Sequence, residues 1–359
     1  MKLKIAYFIS PHGFGHAARS AAIMESLNHL NKKIEFEIFT SVPSWFFTNS
    51  GIKNFNYHEL LTDIGLVQKS ALKEDLDETI VKLNEFIPFN DSIINNVANK
   101  LVDLDCKLVL CDISPIGLEV ASKANIPSVL IENFTWDWIY AQYHKTYEQL
   151  NKHIAYLNNI YEKAKYRIKT QPICFESSSD LLTNPVSRKS IKNKIDLRNE
   201  LEIPKNHKVI MITMGGIPSQ YGFFDKLELY EDITFIIPGS SDIAQKRHNL
   251  VMLPHRSDFF HPDLINASDA VIGKVGYSTL AEVYNSGVPF GYILRPQFPE
   301  SNSLYEFISK EMKGIEISEN EFYSGNWFSK INKLLSLQKI YRTEQNGAYQ
   351  AAEFINSLI

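Results

Sequence analysis

The sequence predicts an α/β protein of two parallel-sheet domains, and three observations carry that expectation. Short apolar runs alternate with longer mixed polar-apolar stretches in both halves, the pattern of βαβ units. That rhythm breaks once, between Phe175 and Pro204, and then restarts. In each half the first strong apolar run ends in a glycine turn, Gly13-Phe14-Gly15 after Leu3–Ile9 and Gly215-Gly216 after Val209–Thr213.

In the first half the expected strands are Leu3–Ile9, Ile34–Thr40, Leu108–Cys111 and Ser128–Ile131. Leu108-Val109-Leu110-Cys111 is apolar throughout, as a strand buried on both faces should be, whereas Ile34-Glu35-Phe36-Glu37-Ile38 alternates and reads as a strand nearer an edge. Ile23, Leu27 and Leu30 fall at helical spacing and mark the helix that follows the first glycine turn. Trp138 to Lys169, rich in Tyr, Lys and Asn, reads as helical and partly exposed. The break contains Ser177-Ser178-Ser179, Asn184-Pro185 and the basic residues Arg188, Lys189, Lys192 and Lys194, and reads as a solvated linker. After it come Val209–Thr213, Phe235–Ile237, Leu250–Leu253, Ala270–Ile272 and Phe290–Leu294, a second parallel sheet. The expected domains are therefore 1–185 and 186–345, with 346–359 as a terminal helix packing back on the first domain. Two open sheets of this kind bind ligands beyond the carboxyl ends of their strands, in a cleft between the domains.

At 359 residues, 44% of them hydrophobic and 22% charged, the chain has the composition of a folded globular protein. A net charge of −4 gives no electrostatic case for nucleic acid. Cys106, Cys111 and Cys174 form neither an even framework nor a zinc-type spacing, so a reducing compartment is expected. The start passes from Lys2-Leu3-Lys4 directly into a strand, without the pattern of a secretory leader. A cytoplasmic location follows, with peripheral contact at the inner membrane face left open.

The first turn reads Ser10-Pro11-His12-Gly13-Phe14-Gly15-His16-Ala17-Ala18-Arg19. Gly13 and Gly15 let the backbone approach a ligand, but the third glycine of the dinucleotide fingerprint is absent and a histidine follows the second. A histidine at a helix start, titrating near neutral pH, suits a general base; otherwise His16 caps the helix. His12 either contacts substrate or fills the turn. Arg19 shares a helix face with His16 and meets either an anionic substrate group or a surface carboxylate. Asp112, ending a buried strand, orients His16, accepts from substrate, or caps the helix that opens at Ser114-Pro115. Trp136 and Asp137 offer an aromatic face and a carboxylate to a sugar or lipid acceptor, or pack in the core. Asp75-Leu76-Asp77 and Asp103-Leu104-Asp105 spell the D-x-D of metal-dependent transferases but sit on polar segments, and no metal is expected.

The second constellation begins at Leu253-Pro254-His255. It continues through Gly273-Lys274-Val275-Gly276-Tyr277-Ser278-Thr279 to Glu282, then Gly287-Val288-Pro289 and Arg295 to Glu300-Ser301-Asn302. Gly276 and Ser278 lie at a strand-to-helix turn whose backbone donors suit a diphosphate, with Lys274 or Arg295 able to neutralise it. Glu282, one turn on, can accept from both hydroxyls of a ribose.

These motifs resemble the nucleotide-sugar-binding half of GT-B-fold glycosyltransferases, in particular the peptidoglycan N-acetylglucosaminyltransferase and the UDP-glycosyltransferases. Gly13-Phe14-Gly15-His16-Ala17-Ala18-Arg19 also resembles the G-x-G-H-x-x-R of the nucleotide-sugar hydrolase of pseudaminic acid synthesis and of the domain ahead of the kinase in arabinokinases. The resemblance implies a GT-B fold, two Rossmann-like domains facing a central cleft. By position it puts Leu253, Pro254 and His255 at the base, Gly276, Tyr277 and Ser278 at the phosphates, and Glu282 at the ribose. Glu300 with Ser301 or Asn302 would meet the sugar hydroxyls. Lys274-Val275-Gly276-Tyr277-Ser278 replaces the usual His-Gly-Gly-Ser, and Glu300-Ser301-Asn302 the usual Asp-Gln, so the sugar's identity does not transfer. The implied reaction moves a sugar from a nucleoside diphosphate, most commonly UDP, to a sugar or lipid-linked acceptor. It would be inverting, independent of metal and cofactor, with His16 as base. Hydrolysis of the same donor by a His16-activated water, and binding without catalysis, are the rival readings.

Overall fold

The computed structural model describes residues 2–70, 72–215 and 222–359. The chain divides into two compact units, Met1–Ser187 with Gln345–Ile359, and Arg188–Glu344. The sequence reading put the breaks at 185/186 and 345/346.

The first unit is built on a seven-stranded sheet. Its strands are β1 (Leu3–Ile9), β2 (Ile34–Thr40), β3 (Phe55–Glu59), β6 (Cys106–Asp112), β7 (Ser128–Glu132), β8 (Tyr166–Thr170) and β9 (Leu181–Thr183), while β4 (Gln68–Ser70) and β5 (Lys73–Glu74) form a separate hairpin. The order is β3-β2-β1-β6-β7-β8-β9, every pair parallel. Chain order therefore reverses between β1 and β6, the kind of switch point at whose carboxyl-end side open α/β sheets bind ligands. The helix Phe14–Leu30 lays Ala17, Ala18, Ala21 and Ala22 inward, small residues that allow close packing on the sheet. The helix Gly347–Asn356 packs against it.

In the second unit the order is β12-β13-β11-β10-β14-β15-β16. Here β10 is Lys208–Thr213, β11 Ile233–Pro238, β12 Gln245–Arg247, β13 Leu250–Leu253, β14 Ala270–Lys274, β15 Phe290–Ile293 and β16 Gly314–Glu316. All pairs are parallel except the edge pair β12–β13. Its switch point lies between β10 and β14. Val209, Met211, Ile236, Val251, Val271, Leu280 and Phe290 belong to one buried cluster that fixes the sheet against its helices.

Several expectations are corrected. The stretch Trp138 to Lys169 is not all helix: after the helices Trp136–Ala141 and Asn151–Tyr161 the chain enters β8. The segment read as linker contains β9. β2 does lie nearer an edge than the central β6, one strand in from it, but its Glu37 is fully buried and paired with His58, Asn56 and Lys4, so the alternation marks a covered strand rather than an exposed face. Asp75 is a helix cap, accepting from the Glu78 N–H at 3.1 Å, and Asp103 ends the helix Asp91–Asp103. No helix among the described residues is long and apolar enough to cross a membrane.

Candidate functional site

At the first switch point the carboxyl ends of four adjacent strands meet one arginine. Arg19 is 1% exposed and lies a turn into the helix after β1. Its Nε donates to Asp112 Oδ2 at 2.8 Å and its Nη2 to Asp112 Oδ1 at 2.7 Å, a bidentate grip on the last residue of β6. Its Nη1 donates to Asn133 Oδ1 at 2.7 Å, just beyond β7, and to Thr170 Oγ1 at 3.2 Å, the last residue of β8. Arg19 is thus neither a surface ion pair nor a contact for an anionic substrate, because its guanidinium is spent inside the unit.

Asp112, fully buried, also lies 2.8 Å from His16 Nδ1 and accepts from Ser20 Oγ at 3.3 Å. Burial works to raise its pKa, but the charge and hydrogen bonds of Arg19, with those of His16, outweigh it and hold the carboxyl below the ordinary aspartate value. An ionised carboxylate on Nδ1 keeps the proton there and leaves Nε2 as the basic nitrogen. Capping is not its role: the cap of the helix Pro115–Ala124 is Ser114.

Gly13, at φ 76°, caps the helix Phe14–Leu30 without a side chain, so His16 is not its cap. The His16 ring meets the edge of Phe134 at 5.9 Å and Trp136 at 6.4 Å between centroids, and His12 meets the same Trp136 at 5.0 Å. Trp136, 1% exposed, is a buried wall for both histidines rather than an open platform for a sugar. Asp137 accepts from Asn158 Nδ2 at 3.3 Å within its own helix pair. His12 Nδ1 accepts from the Leu66 N–H at 3.4 Å. Gly65 makes this seat, since at φ +62° a Cβ there would come within 2.6 Å of His12 Nδ1.

At the second switch point Lys274 ends β14 and reaches the turn after β10: a Cβ built on Gly215 would stand 3.8 Å from Lys274 Nζ. Gly276 caps the helix Tyr277–Ser286 and offers no side chain to its first-turn N–H groups, where Tyr277 and Thr279 are buried and Ser278 half-buried. His255 lies beside the turn after β11, with Nδ1 3.8 Å from a Cβ built on Gly239. Pro254 is half-buried, while the Leu253 side chain belongs to the core and its carbonyl accepts from Gly239 and Ser240. Leu253 is therefore removed as a side-chain contact. Gly216 lies outside the described residues.

Glu282 is buried with both oxygens engaged: Oε1 accepts from Arg188 Nε at 2.9 Å and Oε2 lies 2.8 Å from His261 Nδ1. Burial opposes its ionisation, yet Arg188 and His261 hold its pKa below the ordinary glutamate value. A carboxylate expected to be open to a ribose is already bridged, and Arg188, expected in a solvated linker, is its partner. Lys194 likewise pairs with Asp269 at 2.8 Å. Glu300 and Ser301 are buried in the first turn of the helix Glu300–Glu311, Asn302 is exposed, and the Arg295 guanidinium lies 4.0 Å from the Phe298 ring centre.

No protein-family model matches the chain. An L-arabinokinase of Arabidopsis thaliana is 28% identical over 360 residues, covering 98% of this chain and 34% of that protein. The chain thus spans about a third of the length of the curated relative it matches. Medicago truncatula UGT71G1, solved with UDP-glucose, superposes with a TM-score of 0.61 at 11% identity over 99% of this chain and 98% of its own. MurG of Acinetobacter baumannii gives 0.54 at 15% identity, over 99% of both chains. SnogD of Streptomyces nogalater, a glycosyltransferase, gives 0.57 at 13%, over 100% and 95%. The fold is that of the GT-B glycosyltransferases. At such identities the likeness is one of fold, and the chemistry must come from the residues.

Asn133, Thr170 and Ser10 were not read as site residues. Position alone points to Asn133, two residues past the expected strand Ser128–Ile131; Thr170 lies one residue past the stretch expected to be helical, where no strand is expected. Phe14, Trp45 and Phe46 form an aromatic cluster beside the glycine turn, with Phe14 stacked on Phe46 at 4.9 Å and edge-on to Trp45 at 5.6 Å. Their spacing in sequence gives no sign of it.

Proposed function

We propose that the chain is a glycosyltransferase that takes a sugar from a nucleoside diphosphate, UDP in the first instance, and passes it to a hydroxyl acceptor. The observation that carries this reading is the His16–Asp112 pair, 2.8 Å apart at a switch point. Asp112, itself clamped by Arg19, holds the His16 proton on Nδ1, and Nε2 takes the proton of the acceptor hydroxyl as its oxygen attacks the anomeric carbon. Direct displacement inverts that carbon. The leaving diphosphate is held by the first-turn amides of the helix Tyr277–Ser286 and by Lys274, whose charge serves where other transferases use a metal. Pro254 and His255 take the base, and Glu300, Ser301 and Asn302 the sugar. A sugar or lipid-linked acceptor completes the reaction.

The test is calorimetric binding of UDP, UDP-glucose and UDP-L-arabinose, the last suggested by the name of the arabinokinase relative, followed by product analysis. Binding of a nucleoside diphosphate, with turnover abolished in His16→Ala and binding kept, supports the reading. Release of free sugar at full rate without any acceptor replaces transfer by hydrolysis, and binding with no turnover in either protein leaves a binding role.

A further inference from the structure

Asp63 is a buried carboxyl that the proposed chemistry does not use. It lies in the irregular stretch between β3 and β4, which is pinned over the end of β1. Thr62 Oγ1 donates to the Ile9 carbonyl at 2.7 Å, Ser114 Oγ to the Thr62 carbonyl at 3.4 Å, and Tyr140 OH to the Gly65 carbonyl at 2.7 Å. Asp63 itself is 2% exposed, and its Oδ1 accepts from Ser10 Oγ at 3.0 Å. The same Ser10 Oγ accepts from the His12 backbone N–H at 3.3 Å. One hydroxyl therefore ties Asp63 to the turn that carries His12 and Gly13 and opens the helix of His16.

The other carboxyl oxygen is left without a partner among the described residues. Asp63 Oδ2 and Trp136 Nε1 are both buried, and neither has a hydrogen-bond partner among the described residues. They are close enough for the indole to favour the ionised form of Asp63. Among the described residues no cation pairs with Asp63. Around it stand Asp112 with its partners His16 and Arg19, His12, and the phenols of Tyr140 and Tyr161, which burial holds well above the ordinary tyrosine value. Burial pushes the Asp63 carboxyl up to about 7, with Asp112 adding to the shift and Ser10 and Trp136 opposing it. A protonated Oδ2 would set an O–H against an N–H; the carboxylate accepts from both neighbours.

We propose that Asp63 is a positioning residue of the His16 site: as the carboxylate it accepts from Ser10 and from the Trp136 indole, and so sets the His12–Gly13 turn against the wall on which both histidines lean. The inference rests on His16 being the base, and it gives that site a second ionisation which is not a histidine's.

Nuclear magnetic resonance of the whole chain tests it without any substrate. The Trp136 indole proton, assigned through its loss in Trp136→Phe, is followed over roughly pH 5.5–8.5 together with the His16 ring nitrogens. The expected result is an indole step with its midpoint at about 7 and a change in the His16 signals that follows the same curve, both absent in Asp63→Asn. In Ser10→Ala, which keeps the carboxylate and cuts its tie to His12, the indole step persists and the His16 change disappears. A wild-type indole that does not move overturns the proposal with no variant needed. So does a step that survives in Asp63→Asn, or a His16 change on that curve that survives in Ser10→Ala. Turnover persisting in His16→Ala sinks the base reading instead, and leaves these titrations as they are.

Discussion

Asp112 Oδ1 is shared: His16 Nδ1 lies 2.8 Å from it and Arg19 Nη2 donates to it at 2.7 Å. The carboxylate is thereby a fixed, ionised acceptor, and the imidazole proton has one place to be. In Asp112→Asn the amide can turn an N–H toward Nδ1, which moves the histidine proton to Nε2 and removes the base. Turnover should fall about 10²–10⁴-fold, the range for losing a base or its orienting carboxylate, while nucleoside diphosphate affinity stays within about twofold. Steady-state kinetics beside calorimetry measures both. An Asn variant at wild-type rate would remove the pair from the mechanism.

Arg19 is the structural counterpart of that pair. Its removal in Arg19→Met leaves Asp112 buried with only His16 and Ser20, and cuts the ties to Asn133 and Thr170. Breaking one side of a buried ion pair costs about 3–5 kcal/mol. At about 2–4 °C per kcal/mol for a unit of this size, the melting temperature of the first unit should drop by roughly 6–20 °C. Differential scanning calorimetry reads it, and a drop under about 3 °C would mean that the strand ends do not depend on Arg19.

Much of this arrangement was legible in the sequence, and the losses have identifiable causes. Both switch points lie after strands recognisable by apolar runs, so His16, Asp112, Lys274 and Gly276 could be placed at strand ends before any coordinates. What joins them could not. His16 and Asp112 are 96 positions apart, and Arg19 looked solvent-facing because charge alone does not show the three strand ends it reaches. Arg188 read as linker because its partner Glu282 is 94 positions away. Asp63 sits in a stretch without periodicity, held by side chain to backbone bonds that leave no pattern. At Trp136 an open face and core packing fit the sequence equally, and its 1% exposure decides for packing.

Asp63 also makes stability depend on pH in a direction opposite to most aspartates. Its folded value of about 7 exceeds the ordinary 3.8, so the folded chain holds a proton that the unfolded chain has lost over that interval. Its contribution is fully present below about 4 and is lost as pH rises through 7. Asp63→Asn cannot ionise and escapes that loss, so the variant should gain stability over wild type between pH 5 and pH 8. Urea unfolding at the two values checks this, and a gap that does not widen with pH means that Asp63 ionises normally.

Lys274 is the group that most directly separates a diphosphate site from a generic glycine turn. Its ammonium lies near the turn after β10, where a Cβ on Gly215 would stand 3.8 Å from Nζ, and it ends the strand that leads to the helix start at Gly276. If a leaving diphosphate sits there, Lys274→Met removes one charge-assisted contact, worth about 1.5–3 kcal/mol or roughly 10–150-fold in affinity. Uridine, which carries no phosphate, should bind the variant and the wild type alike, while UDP loses that factor and turnover falls further because charge grows on the diphosphate as it departs. Calorimetric titration of uridine, UMP and UDP into both proteins tests the assignment. A variant that weakens all three equally would place Lys274 in the packing of the loop rather than on the phosphates.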